Sequence, residues 1–168
     1  TLKATGGFTL IELLVVISIS MIIGAISLAS VNSFSKRQDV EQSGLAVKTV
    51  LEKSRFNALS NVENEACVTA GYPSTVMYGV EITLPSDYKM KALCKNAVGA
   101  TFSQEVEKGK LARGVTFQAL GCGGIYYFES ITNKYYCGSP LVAGTDQEFR
   151  ITDGSLTKII KIKQNGKI

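Results

Sequence analysis

The feature that most constrains this chain is an apolar segment near its beginning, because residues 8–31 contain a single charged side chain, Glu12. About 20 apolar residues are enough to cross a bilayer as a helix, so the segment predicts a membrane span. A carboxylate deep in lipid costs roughly 2.5–3.5 kcal/mol on insertion scales, and such residues usually have a partner. The position of Glu12 therefore needs an explanation beyond simple anchoring.

Two ordinary interpretations of the apolar segment do not explain why it contains Glu12. A cleaved secretory signal peptide is disfavoured, because the apolar run is long, the preceding basic region is only Lys3, and Glu12 lies inside the run. A plain membrane anchor fits the length but leaves Glu12 without a partner.

The residues around Glu12 form a recognisable pattern. Gly7-Phe8-Thr9-Leu10-Ile11-Glu12, followed by the apolar run, closely resembles the prepilin signature of type IV pilins and type II secretion pseudopilins. The resemblance implies that a prepilin peptidase cuts after Gly7 and that Phe8, the new N-terminal residue, is N-methylated. It also implies that Glu12 meets the N-terminal ammonium of a neighbouring subunit.

The chemistry of the segment agrees with this resemblance. Cleavage would create a positive charge at Phe8, and an ammonium and a carboxylate in apolar surroundings are tolerable only when paired. The implied partners are other pilin or pseudopilin subunits, the prepilin peptidase, an inner-membrane assembly platform and the membrane itself. The implied location is the inner membrane, with a single span and the head outside the cytoplasm, and then a pilus or pseudopilus.

Two departures from the family pattern concern the leader and the helix. The leader, residues 1–7, has one lysine and no methionine, so we expect the chain to begin downstream of the true start. The family's membrane helix often carries a proline, and residues 8–31 contain none.

The helix is expected to continue through residues 32–61 as an amphipathic segment. Its apolar stripe follows helical spacing and consists of Val47, Val50, Leu51, Ser54, Ala58 and Val62. The predicted organisation is therefore a cleaved leader at 1–7, a transmembrane and assembly helix at 8–31, this continuation at 32–61, and a β-rich head at 62–168.

The head is predicted to be an antiparallel sheet, because Tyr and Thr become frequent and Gly and Pro punctuate short runs. Hairpins are expected at Ile131-Thr132-Asn133-Lys134 and, through a type I′ Asp-Gly turn, at Asp153-Gly154. The fold class is α+β, a long helix packed on an antiparallel sheet, as the resemblance also implies. The strand candidates are Cys67–Ala70, Val76–Thr83, Tyr88–Leu93, Gly114–Gln118, Ile125–Ser130, Lys134–Cys137, Glu148–Thr152 and Leu156–Lys163.

Four cysteines, Cys67, Cys94, Cys122 and Cys137, favour two disulfides in an oxidising compartment. Their spacing does not fit a zinc knuckle. Cys122 and Cys137 bracket the aromatic hairpin, and a bond between them would leave Cys67 to pair with Cys94. Four cysteines allow three pairings, and sequence does not choose among them.

The composition argues against an enzyme. The chain has no histidine, which excludes Ser-His-Asp and Cys-His sites. The glycine cluster at residues 121–124 lacks a P-loop lysine and is interpreted as a turn. The acid pairs Glu63/Glu65 and Glu105/Glu107 are placed in solvated loops, and Asp146 with Glu148 offers too few ligands to argue a calcium site. We expect no cofactor and no catalytic residue.

A binding role is the alternative to a purely structural one. Residues Leu51–Leu59 and the end of the chain resemble the branch of H-type pseudopilins and T-type minor pilins, some of which bind DNA during uptake. The last 19 residues carry a net charge of +4. A solvated strand face is the ordinary interpretation of such alternating charge. The candidate nucleic-acid contacts are Lys158, Lys161, Lys163 and Lys167.

Overall fold

The computed structural model describes residues 9–132, 134–138 and 140–168, and the side chains of these residues except 26–32. The chain separates into two compact units, one extending to Gln38 and the other comprising Asp39–Ile168. Gly7 and Phe8, where cleavage is predicted, lie outside the described residues.

The first element is a long helix, α1, over Leu10–Leu59. The expected long N-terminal helix is therefore confirmed. In the second unit, the predicted stripe faces the core: Val47, Leu51 and Ser54 are fully buried and Ala58 nearly so. Val62 lies beyond the helix and is 41% exposed.

The end of α1 follows from local hydrogen bonding. Asn61 adopts a left-handed conformation with φ 48°. Its amide donates to the Ala58 carbonyl at 3.1 Å, and the Val62 amide donates to the Asn57 carbonyl at 3.0 Å. This is the Schellman arrangement, in which a residue with positive φ satisfies the last free carbonyls of a helix.

A short second helix, α2, spans Glu65–Thr69 where a strand was predicted at Cys67–Ala70. That prediction is wrong. The Asn64 side chain accepts hydrogen bonds from the amides of Ala66 and Cys67 and so caps the first turn of the helix.

The rest of the head forms two antiparallel sheets. The larger has the order β3-β2-β1-β5-β6-β7 and the smaller the order β4-β8-β9. The strands are β1 Ser74–Thr83, β2 Asp87–Lys95, β3 Thr101–Lys110, β4 Thr116–Gln118, β5 Ile125–Glu129, β6 Tyr135–Cys137, β7 Val142–Ala143, β8 Gln147–Thr152 and β9 Thr157–Ile162.

Two of these strands were missed in the sequence. Glu105 and Glu107, assigned to a loop, lie on β3 at the edge of the larger sheet. The two-residue strand β7 was also not predicted. The glycine cluster at Gly121–Gly124 forms a 3-10 turn leading into β5, in agreement with its interpretation as a turn.

Both predicted hairpins are present. Tyr135 pairs with Phe128 in the β5–β6 hairpin. In the β8–β9 hairpin, Thr152 pairs with Thr157, so the loop holds four residues rather than the two of a type I′ turn. The Asp153 carboxylate accepts hydrogen bonds from the amides of Ser155 and Leu156 and stabilises this longer loop.

A single core joins the second part of α1 to both sheets. Its largest fully buried side chains come from the helix and from each sheet, and include Leu51, Tyr78, Met90, Tyr126, Phe128, Phe149, Ile151 and Ile162. The aromatic rings of Tyr126 and Phe149, from different sheets, lie 5.7 Å apart. The helix is therefore packed on an antiparallel head, as predicted.

Candidate assembly site at the start of the long helix

The start of α1 is built around Thr9 and Glu12. The Thr9 amide donates to Glu12 Oε2 at 2.9 Å, and the Thr9 hydroxyl donates to the same oxygen at 2.8 Å. In return, the Glu12 amide donates to Thr9 Oγ1 at 3.3 Å. This reciprocal arrangement is a capping box, which satisfies free amides in the first turn of a helix.

The capping box gives Glu12 a partner within its own chain. Both bonds from Thr9 end on Oε2, and within the described residues no hydrogen bond to Oε1 is formed. One carboxylate oxygen is thus used to begin the helix, while the other accepts no hydrogen bond from any residue that the structure describes.

The surface of α1 around Glu12 is apolar and uncovered. Leu10 is 82% exposed, Met21 is 70% exposed, and no large apolar side chain from residue 10 to residue 23 is less than 46% exposed. The Ser18 hydroxyl donates to the Leu14 carbonyl at 2.8 Å, so this polar group is satisfied inside the helix. Exposed apolar surface on this scale requires a covering partner, either lipid or other helices.

In the part of the chain that the structure describes, no helix satisfies the combined length and hydropathy requirement for crossing a membrane.

Comparison with known proteins bears on this segment. Residues 2–28 match the family model described as the prokaryotic N-terminal methylation motif. The chain carries the N-terminal signature of the type IV pilin and pseudopilin family. This signature implies processing by a prepilin peptidase, assembly with other pilin subunits, and a membrane-anchored form that precedes an extracellular filament. No curated protein and no solved structure matches the chain.

The family in which this motif occurs is structural rather than enzymatic. In residues 9–132, 134–138 and 140–168, no three His, Cys, Asp or Glu side chains gather to hold a metal ion. Glu148 lies 3.6 Å from Arg150 and 3.7 Å from Lys161, and Asp146 accepts a hydrogen bond from the Gln164 amide.

The four cysteines of the head form two disulfides, Cys67–Cys94 and Cys122–Cys137. The first joins α2 to β2, with the Cα atoms 6.2 Å apart, and the second joins the 3-10 turn to β6, with the Cα atoms 5.4 Å apart. Of the three pairing schemes that the sequence leaves open, the structure has the one in which Cys122–Cys137 brackets the aromatic hairpin and Cys67 pairs with Cys94.

The C-terminal lysines do not share one surface. Lys158 lies on the inner face of β9 with the buried Ile160 and Ile162, while Lys161 lies on the outer face. The Lys158 ammonium is 2.7 Å from the Glu41 carboxylate, and its stem packs against Gly44 of α1. Lys163 and Lys167 follow the end of the strand.

Sequence reasoning found Glu12 but missed Thr9. The signal was present, because Thr-x-x-Glu before an apolar run is the pattern of a capping box. A charge within an apolar run is visible in the hydropathy pattern, whereas its local partner three residues earlier is not.

Proposed function

We propose that this chain is a structural subunit, a minor pilin or pseudopilin, of a type IV pilus or a type II secretion pseudopilus. The single observation that carries the proposal is the match of residues 2–28 to the N-terminal methylation motif, with Glu12 inside it. A prepilin peptidase removes residues 1–7, Phe8 is N-methylated, and residues 8–31 hold the subunit in the inner membrane until assembly. The head, residues 62–168, faces away from the cytoplasm.

Polymerisation proceeds through the N-terminal helix. The carboxylate of Glu12 keeps one oxygen on Thr9 and offers the other to the ammonium at Phe8 of a neighbour. Because an unpaired charge is costly in apolar surroundings, the pair favours the register in which each ammonium meets a carboxylate. The uncovered apolar side chains of residues 10–23 support the same account, since they need either lipid or neighbouring helices around them.

DNA binding through the C-terminal strand is not adopted as a second function. Lys158 is already paired with Glu41, and Lys161 lies near Glu148. The two lysines also lie on opposite faces of β9, so a single DNA backbone would not contact both. No specific contact in the described residues favours that role.

The proposal is tested by two substitutions in the full chain, expressed with a prepilin peptidase and an assembly platform. Gly7→Ala should leave residues 1–7 attached, whereas the neighbouring Gly6→Ala should be processed normally. Normal processing of the Gly7→Ala chain would show that the proposed cleavage site is wrong.

The second substitution separates assembly from processing. Glu12→Gln should be cleaved but should be lost from the sheared filament fraction, because the amide cannot neutralise a neighbour's ammonium. Glu63→Gln, which changes an exposed carboxylate outside the helix, is the matched control and should assemble. Equal filament yields from the two variants would contradict the role given to Glu12.

A further inference from the structure

One end of the head carries a group of cations without ion-pair partners. Lys108 and Lys110 on β3 and Arg113 in the turn that follows are exposed, and none takes part in an ion pair within the described residues. The lysines on the neighbouring strand β2 do have ion-pair partners, because Lys89 lies 2.8 Å from Glu105 and Lys91 lies 2.6 Å from Glu81. We call Lys108, Lys110 and Arg113 the basic cluster.

The pairing of β2 with β3 brings like charges together beside this cluster. Lys89 is directly opposite Lys108, which has the same charge, whereas Asp87 is opposite Lys110, which has the opposite charge. Like charges directly opposite each other on one sheet face are destabilising. Glu105 forms an ion pair with Lys89 and attracts Lys108 at longer range, and an anion bound here would relieve the repulsion that remains.

The geometry leaves room for an anion. A cavity of about 350 Å³ is lined by Asp87, Lys89, Lys108 and Lys110, with Tyr88 and Gly109 between them. Tyr88 turns to the core and is 7% exposed, and a Cβ added to Gly109 would overlap its ring. Because side chains alternate along a strand, Lys89, Lys108 and Lys110 lie on the opposite, outer face.

The turn that follows β3 and carries Arg113 is bonded to a residue of α1 near the beginning of the second unit. The Ala112 amide donates to Ser43 Oγ at 3.1 Å, and Ser43 is four residues from Asp39, where the second unit begins. The Leu111 amide donates to the Ser86 carbonyl at 2.9 Å, which holds the turn between β1 and β2 beside the cluster. Leu84 in that turn is 59% exposed.

We propose that the basic cluster, with Leu84, binds the phosphate headgroups of anionic lipids and holds the head against the membrane before assembly. This inference rests on the proposed function, which places a membrane at the start of the chain. Cations beside an exposed apolar side chain suit a lipid surface, which offers both phosphates and acyl chains. A nucleic acid backbone would use the cations but not Leu84.

The test uses the full chain reconstituted in vesicles of phosphatidylcholine alone or with about one-third phosphatidylglycerol. Acylation of each lysine by a water-soluble amine reagent is followed by mass spectrometry. Lys108 and Lys110 should react at least about fivefold more slowly in the anionic vesicles, as expected for one cation-headgroup contact each. Lys95 and Lys134 are internal controls and should react equally in both. About 1 M salt should abolish the protection, because it screens the attraction.

A pair of variants checks the charge dependence. Arg113→Gln should reduce the protection of Lys108 and Lys110, whereas Lys134→Gln should leave it unchanged. Equal acylation of Lys108 and Lys110 in the two kinds of vesicle would overturn the proposal. So would protection that appears only when a DNA duplex is added to the phosphatidylcholine vesicles, since the anion would then be nucleic acid.

Flotation of the same vesicles separates this inference from the proposed function. If the chain floats with the vesicles but the basic cluster is not protected from acylation, only the proposed lipid contact is contradicted. A chain that does not float with either kind of vesicle contradicts the membrane-anchored subunit and the lipid contact together.

Discussion

The hydroxyl and the main-chain amide of Thr9 both donate to the same carboxylate oxygen of Glu12, at 2.8 and 2.9 Å. The charge that makes the apolar segment unusual therefore has a partner in its own chain, at the residue immediately before α1. In this account, Thr9 is a positioning residue that fixes the carboxylate at the start of α1 and leaves its second oxygen available.

Removing the Thr9 hydroxyl should loosen the start of the helix. Thr9→Val removes one hydrogen bond to Glu12 and the acceptor for the Glu12 amide. Loss of such a cap typically raises the equilibrium constant for opening of the first helical turn about fivefold. Amide hydrogen exchange in the first turn, measured on the detergent-solubilised chain, should accelerate by about that factor. Thr9→Ser retains the hydroxyl and should exchange at the original rate. Identical exchange in the two variants would show that the capping box is unimportant.

Each disulfide should contribute substantially to the stability of the head. The bonds close loops with sequence separations of 27 and 15 residues. The chain-entropy relation gives about 3–4 kcal/mol for loops of this size. Replacing Cys67 and Cys94 together by Ala, or Cys122 and Cys137 together, should lower the free energy of unfolding by about that amount in a denaturant titration. An unchanged midpoint for either pair would contradict the prediction.

Gly79 is expected to tolerate no side chain. It lies on β1 opposite Tyr127, and an added Cβ would overlap the Tyr126 carbonyl oxygen and lie 2.5 Å from the Tyr127 ring. Gly79→Ala should therefore destabilise the head by about 1–3 kcal/mol, the usual cost of overpacking. Gly24→Ala is the control, because nothing lies within 4 Å of its added Cβ. Thermal unfolding that is the same in both variants would argue against this close packing of β1 and β5.

Alkaline pH should weaken the head within a defined window. Burial raises the pKa of Tyr127 and of Tyr135 to about 12, and raises the pKa of Tyr126 as well. Tyrosine in an unfolded chain has a pKa of about 10. Below about pH 10 the phenols are neutral in both states, so their contribution to stability is complete. Between about pH 10 and 12 the unfolded chain loses protons that the folded chain keeps, so stability falls as pH rises.

This prediction is checked by denaturant midpoints across the alkaline range, together with phenolate absorbance of the folded protein. The absorbance should show some tyrosines ionising only near pH 12 or above. Titration of all the tyrosines near pH 10 in the folded protein, with a flat stability profile, would contradict it.

The parts of the fold that follow a regular pattern could be predicted from the sequence. The stripe from Val47 to Ala58 repeats at helical spacing, and it is the face that α1 buries. The alternation of lysine and isoleucine near the end of the chain likewise predicted β9, whose Ile160 and Ile162 are buried and whose Lys161 is exposed. In both cases a burial preference repeats along the element, which is the information that a sequence displays most directly.

The missed elements lack that pattern for physical reasons. The edge strand β3 pairs on one side only, and its charged side chains, such as Glu105 and Lys108, do not alternate with buried ones. Charges on an edge strand limit pairing with other chains, but they also hide the strand from an analysis of hydrophobicity. The helix α2 depends on the cap at Asn64, which outweighs the strand preference of Val68 and Thr69.

In the candidate site too, the feature that follows from hydropathy was predicted and the feature that depends on a local contact was missed. Glu12 was evident because a charge in an apolar run is costly, whereas its contact with Thr9 is a local bond that hydropathy does not reveal. The pairing of Cys67 with Cys94 could not be deduced, because it depends on how α2 packs beside β2. The number of residues between two cysteines does not show whether the fold brings them close together.

The most direct test of the central claim is the identity of the N-terminal residue of the chain recovered from membranes of cells that contain a prepilin peptidase. Intact mass and N-terminal fragmentation should show a chain that begins at Phe8, lacks residues 1–7 and carries one N-terminal methyl group. Chains that retain residues 1–7, or that are cut at a position other than the Gly7–Phe8 bond, would contradict the account of a processed pilin-type subunit.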